Sequence, residues 1–185
     1  MKKRKLIASI ALSTLVLTAW SVISWTILPF HSNSLKNLNK QVVDIKAMQG
    51  LMASGVYHYP GLPTNNSKEN WDKLEEQLKT EPRITLMVYH DGGSSLFDLK
   101  SFAINVFFNL ITSGLLVLAI TLAASKKTLT IITLVFIIGL IVCFSKSLPF
   151  LVWFKFPITF IVPDLVDTVV SFLLVGMLLN YTNKI

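Results

Sequence analysis

The sequence predicts an all-α transmembrane four-helix bundle with a small α+β extracytoplasmic cap between spans one and two. Three observations predict it. The 185-residue chain is 52% hydrophobic and only 15% charged, where a soluble domain is nearer one quarter charged. The apolar residues gather in four runs, Leu6–Leu28, Phe102–Ala124, Leu129–Leu148 and Ile161–Tyr181, each close to the roughly 20 residues a helix needs to cross a bilayer core. Between the first two runs, the pattern changes to short alternating segments separated by turn residues, the mark of a small folded unit. The expected divisions are a signal-anchor helix at 1–30, the cap at 31–100 and three transmembrane helices at 101–185.

The first run follows "KKRK" at 2–5. It is long for a signal-peptide core, and "LTAWSVISW" lacks a small-residue cleavage pattern, so it reads as a retained anchor. In the cap, "SNSLKNLNKQVVDIKAM" (32–48) opens on the capping residues Ser32, Asn33 and Ser34 and spaces Leu35, Leu38, Val42 and Ile45 as a helix would. "GVYHY" (55–59), closed by "PGLP", predicts a strand and a turn. "NNSKENWDKLEEQLKT" (65–80) predicts a helix starting after Ser67, with Trp71, Leu74 and Leu78 buried on one face. "RITLMVYH" (83–90) predicts a second strand closed by "DGG". So small a unit is expected to rest on the membrane bundle.

The net charge is +7, but its placement argues against a nucleic-acid partner. "KKRK" and the Lys126–Lys127 pair sit at the ends of spans one to three, where cytoplasmic cations belong. The segment 31–100 balances eight basic against eight acidic residues. The bias predicts both termini in the cytoplasm, the cap outside, and the bilayer as the chain's principal partner. Cys143 is the single cysteine and lies in a span, so it is read as a packing residue.

The last span poses the chemical question. "ITFIVPDLVDTVVSFLLVGMLL" (158–179) carries Asp164 and Asp167 near its start, three apart and hence on one face, with Ser171 continuing it. An ionised carboxylate inside a bilayer costs several kcal/mol unless it faces protein or water. Other spans supply polar groups at matching depth. Span two has a stripe of Ser101, Asn105, Asn109 and Thr112; span one has Thr14, Thr18, Ser21 and Ser24; span three ends with Lys146. Together they predict an outer-leaflet polar cluster of Asp164, Asp167, Asn105, Asn109, Ser21 and Lys146. Either aspartate could pair with Lys146 or Lys155, and such stripes also hold helices together.

His31, His58 and His90 all lie in the outer segment. If the two strands pair, His58 and His90 could approach one another, with His31 at the membrane surface. With Asp164 and Asp167 they form a candidate metal site, since zinc and copper accept imidazole and carboxylate ligands. The ligand spacing of known metal motifs is absent. So are G-x-S-x-G, P-loop and dinucleotide patterns, and a nucleophile–base pair of Ser94 or Ser95 with His90 has nothing to orient it. The chain therefore points away from an enzyme and implies no particular cofactor. Trp25, Phe30, Phe150, Trp153, Phe154 and Phe156 gather at the outer boundary and Tyr181 at the inner one. The aromatic loop 149–160 is the candidate contact for a membrane-protein partner.

A first span ending "SWTILPFH", an outer "SGVYHYPGLP", and a last helix entered through "WFKFP" and carrying "VPDLVDTVV" resemble a group of small uncharacterised bacterial four-span inner-membrane proteins. The resemblance covers most of the chain. It implies bacterial origin and a four-span architecture, and no activity. Within it, His31 and Asp167 are the positions of first interest. Three functions follow as expectations: a non-enzymatic accessory or assembly subunit of an envelope complex; a membrane protein binding a metal or small ligand through the His/Asp groups; and a small oligomeric transporter.

Overall fold

The computed structural model describes residues 3–38, 48–49, 52–92, 95, 98–123 and 127–184. They form two compact units, one made of Met1–Lys36 with Leu96–Ile185 and the other of Asn37–Ser95.

The first unit is a bundle of four long helices. Helix α1 covers Lys3–Val22 and continues as a π-helical turn at Ile23–Ile27; a short α2 covers Pro29–Ser34. Helices α4 (Leu99–Ala123), α5 (Thr128–Val152) and α6 (Ile158–Lys184) complete it. All four long helices are long and apolar enough to cross a membrane. In each, only 17–22% of the most apolar window is buried within the chain. The remaining apolar surface needs lipid, and the chain is a polytopic membrane protein.

Helix α1 packs against α4 and α6, and α6 packs most extensively against α5, whereas α4 and α5 barely touch. The core is built from Leu17, Leu116, Val117, Ile120, Ile131, Val135, Phe172, Val175 and Leu179. A small residue sets the α5–α6 spacing. A Cβ placed on Gly139 would meet Phe172 at 2.8 Å, and one on Gly176 would meet Val135 at 3.4 Å. At Gly139 the missing side chain is what lets the backbones approach, whereas at Gly176 an added Cβ would make only ordinary contact. Cys143 is buried between the same two helices, its Sγ 4.0 Å from the Leu165 carbonyl. Ser9 donates to Thr182 at 2.9 Å and ties the start of α1 to the end of α6.

The start of α4 is capped. Asp98 accepts from the backbone N–H groups of Lys100 (3.1 Å) and Ser101 (3.2 Å) and from the Ser101 hydroxyl, which satisfies helix donors that lack an intrahelical partner. The Ser101 hydroxyl, followed by the Lys100 N–H, holds the Asp98 carboxyl below its usual range. A depressed carboxyl pKa stabilises the fold above the unfolded value, about 3.9, and the contribution is lost as pH falls through the lower folded value. Hydrogen-exchange protection at Ser101 and Phe102 is therefore expected to hold at neutral pH and to fall in acid, and Asp98→Ala should remove the pH dependence. Unchanged protection down to the acid limit would contradict this role.

The second unit has strands β1 (Gly55–Tyr59) and β2 (Ile84–Tyr89), with helix α3 (Lys68–Thr80) between them in the chain. The strands pair antiparallel, Gly55 with Tyr89 and Tyr59 with Ile84, with an irregularity between Tyr57 and Tyr59. Ser67 caps α3 by accepting from the Asn70 N–H at 3.3 Å, and Lys73–Glu69 and Lys79–Glu75 bridges of 2.6 Å run along its surface. Two expectations need correction here. Only Leu74 of the expected apolar face is buried, while Trp71 remains 44% exposed, because α3 packs extensively against no other element among the described residues. Of the helix expected at 32–48, residues 32–34 belong to α2, which starts earlier at Pro29 and ends at Ser34, Met48 is helical, and 39–47 lie outside the described residues. Pro29 fixes that start, since proline suits the first helical position. Leu35–Leu38 do not continue the helix, and Val42 and Ile45 lie outside the described residues.

Candidate functional site

The polar groups of the bundle gather at its aspartate end, where α1 finishes and α4 and α6 begin. The π-helical turn inserts one extra residue per turn into α1 and brings Ser24 round to the inside, while Trp25 stays 55% exposed. The chain then becomes extended at Leu28 (φ −82°, ψ 137°) and re-enters a helix at Pro29. This reversal lays His31 back over the turn that precedes it. His31 is 5% exposed. Its Nε2 lies 3.1 Å from the Oγ of the fully buried Ser24. Trp25 stacks on the imidazole with centroids 4.1 Å apart and planes 8° from parallel, and Phe30 packs on it at 5.1 Å.

Helix α2 packs on α6, which brings His31 Nε2 to 3.7 Å from Asp167 Oδ2. The other carboxylate oxygen accepts from Trp20 Nε1, which also points at the Asp167 carbonyl at 3.3 Å. One carboxylate thus joins α1, α2 and α6. An indole N–H in a membrane helix needs an acceptor, and a carboxylate there needs donors; each answers the other.

Asp164 is held separately. Lys146 Nζ donates to it at 2.7 Å and Ser147 Oγ at 2.6 Å, so it ties α5 to α6. On the opposite side, Asn109 donates to Thr18 Oγ1 at 3.1 Å and Asn105 to Ser21 Oγ at 3.4 Å, cross-linking α4 to α1. Ser21, Asn109, Lys146 and Asp167 face one cavity of about 380 Å³ among the four long helices, together with Trp20 and Ser171. Leu17, Val142 and Phe172 give it an apolar floor. Asn105 is not among its lining residues and Asp164 reaches it only through Lys146.

The histidines divide differently from the expectation. The strands do pair, yet His58 lies at one end of the ladder and His90 follows the other end, roughly 13 Å apart by the rise of four strand residues. Each is turned into its own turn: His58 Nδ1 lies 3.0 Å from the Pro60 carbonyl and His90 Nδ1 2.7 Å from that of Gly92. Among the described residues no group of three or more His, Cys, Asp or Glu side chains is placed to hold a metal ion. Ser94 lies outside the described residues.

In the aromatic loop, Phe150, Phe154, Phe156 and Phe160 pack ring against ring at 5.1–6.4 Å, while Trp153 is 75% exposed. The residues that sequence reasoning missed are Trp20, Ser147 and the stacking of Trp25 on His31. Trp20 had a signal: it is the only large aromatic residue inside the first apolar run before its outer boundary, one residue from the Thr18–Ser21 polar stripe. No protein-family description, curated protein or solved structure matches this chain.

Proposed function

We propose that this protein is a multi-pass protein of the bacterial inner membrane, with both termini in the cytoplasm, and that it binds a small polar ligand in a cavity of the outer leaflet anchored on Asp167. The observation that carries the reading is the cavity of about 380 Å³ with Asp167 in its wall, held in place by Trp20 and facing His31. The volume suits a small ligand, and an ionisable group in a polar intramembrane cavity is a functional position by default. Lys3, Arg4, Lys5 and Lys127 at the opposite end of the bundle support the orientation.

Native mass spectrometry of the protein, extracted from its own membranes in mild detergent, tests the reading. The wild type is expected to carry a small-molecule mass increment that Asp167→Asn loses. Bare wild type, indistinguishable from Asp167→Asn, would overturn it. The accessory-subunit reading rests on a different observation, the exposed Trp153 in a loop whose other rings are self-packed. It predicts a particle heavier by a whole protein subunit, released by Trp153→Ala.

A further inference from the structure

Resting on the ligand-binding reading, we propose that the cavity recognises a zwitterionic head carrying a primary ammonium and a phosphate, and that it admits this head sideways from the lipid through the seam between α4 and α5. The charges of the cavity are arranged by depth. Asp167 is the inner charge, its side chain 19% exposed, and Lys146 the outer one, at 57%. Lys146 sits on Asp164, three residues before Asp167 along α6, so the two charged positions differ by about 4.5 Å of helical rise. That is near the reach of a two-carbon linker between an amine and a phosphate.

The inner part of the cavity offers acceptors. The hydroxyl protons of Ser21, Thr168 and Ser171 are spent on the carbonyls of Thr18, Asp164 and Thr168, at 2.9, 2.9 and 2.8 Å. Thr168 and Ser171 keep their oxygen lone pairs for a ligand, and Ser21, which also accepts from Asn105 at 3.4 Å, keeps one. Asn109 gives one of its two amide N–H groups to Thr18, and its carbonyl oxygen is a further acceptor. With the Asp167 carboxylate, these groups call for a ligand rich in N–H donors, and a primary ammonium has three. At the rim, Lys146 has the same three donors and gives one to Asp164, so it retains donors for an anionic oxygen.

The entry route follows from packing. Asn109 and Thr112 on α4 face the cavity across from Val142 and Lys146 on α5, and these two helices, consecutive in the chain, make few contacts with each other. A polar cavity that opens between two weakly packed spans faces acyl chains. A lipid can insert its head there while its tails stay outside.

The test uses the full chain in nanodiscs made from equal parts of ethanolamine and choline phospholipids, read by native mass spectrometry of retained lipid. Choline has no N–H to give to the inner acceptors. Wild type is expected to retain the ethanolamine lipid roughly tenfold over the choline lipid, the scale of a hydrogen bond to a charged group. Asp167→Asn should lose the discrimination, and Lys146→Gln should lower retention of both lipids. Free phosphoethanolamine added in detergent forms a second arm. Its binding, lost in Asp167→Asn, without lipid discrimination in nanodiscs would uphold the ammonium–phosphate chemistry and overturn the lateral lipid route. No discrimination and no phosphoethanolamine binding would overturn the proposal, and a different Asp167-dependent mass increment on that protein would leave the ligand-binding reading standing.

Discussion

Gly139→Leu is expected to force α5 away from α6 and to destabilise the bundle more than the loss of any one of its polar contacts. Even the first added atom has no room, since a Cβ at Gly139 would lie 2.8 Å from Phe172 Cβ and 2.9 Å from its Cγ. The Cβ is fixed to the α6 backbone and cannot swing aside as the tip of a long side chain could. Gly139→Ala alone should cost about 1–3 kcal/mol of overpacking, a fall in melting temperature of roughly 5 °C for a chain of this length, and leucine more. The damage should reach the polar end, because the Lys146–Asp164 contact at 2.7 Å spans the same pair of helices. Gly114→Ala is the control: nothing lies within 4 Å of the added atom, so it should be neutral or gain up to about 1 kcal/mol of helix propensity. Thermal unfolding in detergent compares the three. Equal melting temperatures for Gly139→Ala and Gly114→Ala would show that the close approach is not a constraint.

The architecture was legible because it depends on local quantities. Run length alone places the four spans, and the 4, 4 and 3 spacing of Ser101, Asn105, Asn109 and Thr112 puts them near one face. What was not legible is what each polar group meets. Ser101 serves the Asp98 cap rather than the cluster. Asp164 and Asp167 share a helix face, but Asp164 turns to α5 and Asp167 to α1. The difference depends on how far α6 is rotated between its neighbours, which pattern does not report. His58 and His90 needed the strand register, and a hairpin's ends look alike in sequence until the pairing is known. The burial of His31 depends on a reversal at Leu28–Pro29 and on the π-helical turn before it, and neither leaves a periodic trace.

His31→Ala should produce the largest loss at the polar end. The imidazole is nearly inaccessible and has four separate partners: Ser24 Oγ at 3.1 Å, the Trp25 ring at 4.1 Å, the Phe30 ring at 5.1 Å and Asp167 Oδ2 at 3.7 Å. Removing it orphans the buried Ser24 hydroxyl, at about 1–3 kcal/mol, and takes the stacking partner from Trp25. Asp167 would then face the vacated space with Trp20 as its remaining side-chain donor among the described residues. Asp167→Asn preserves the shape and can still accept from Trp20, so its effect isolates the charge. A double-mutant cycle between His31→Ala and Asp167→Asn, read by thermal unfolding, gives the energy the two share. We expect a coupling of about 1 kcal/mol, because the Nε2 and the carboxylate oxygen approach to 3.7 Å. Strict additivity would mean that the 3.7 Å approach is proximity without interaction, and that the helix reversal holds His31 for the sake of Ser24 and its ring contacts alone.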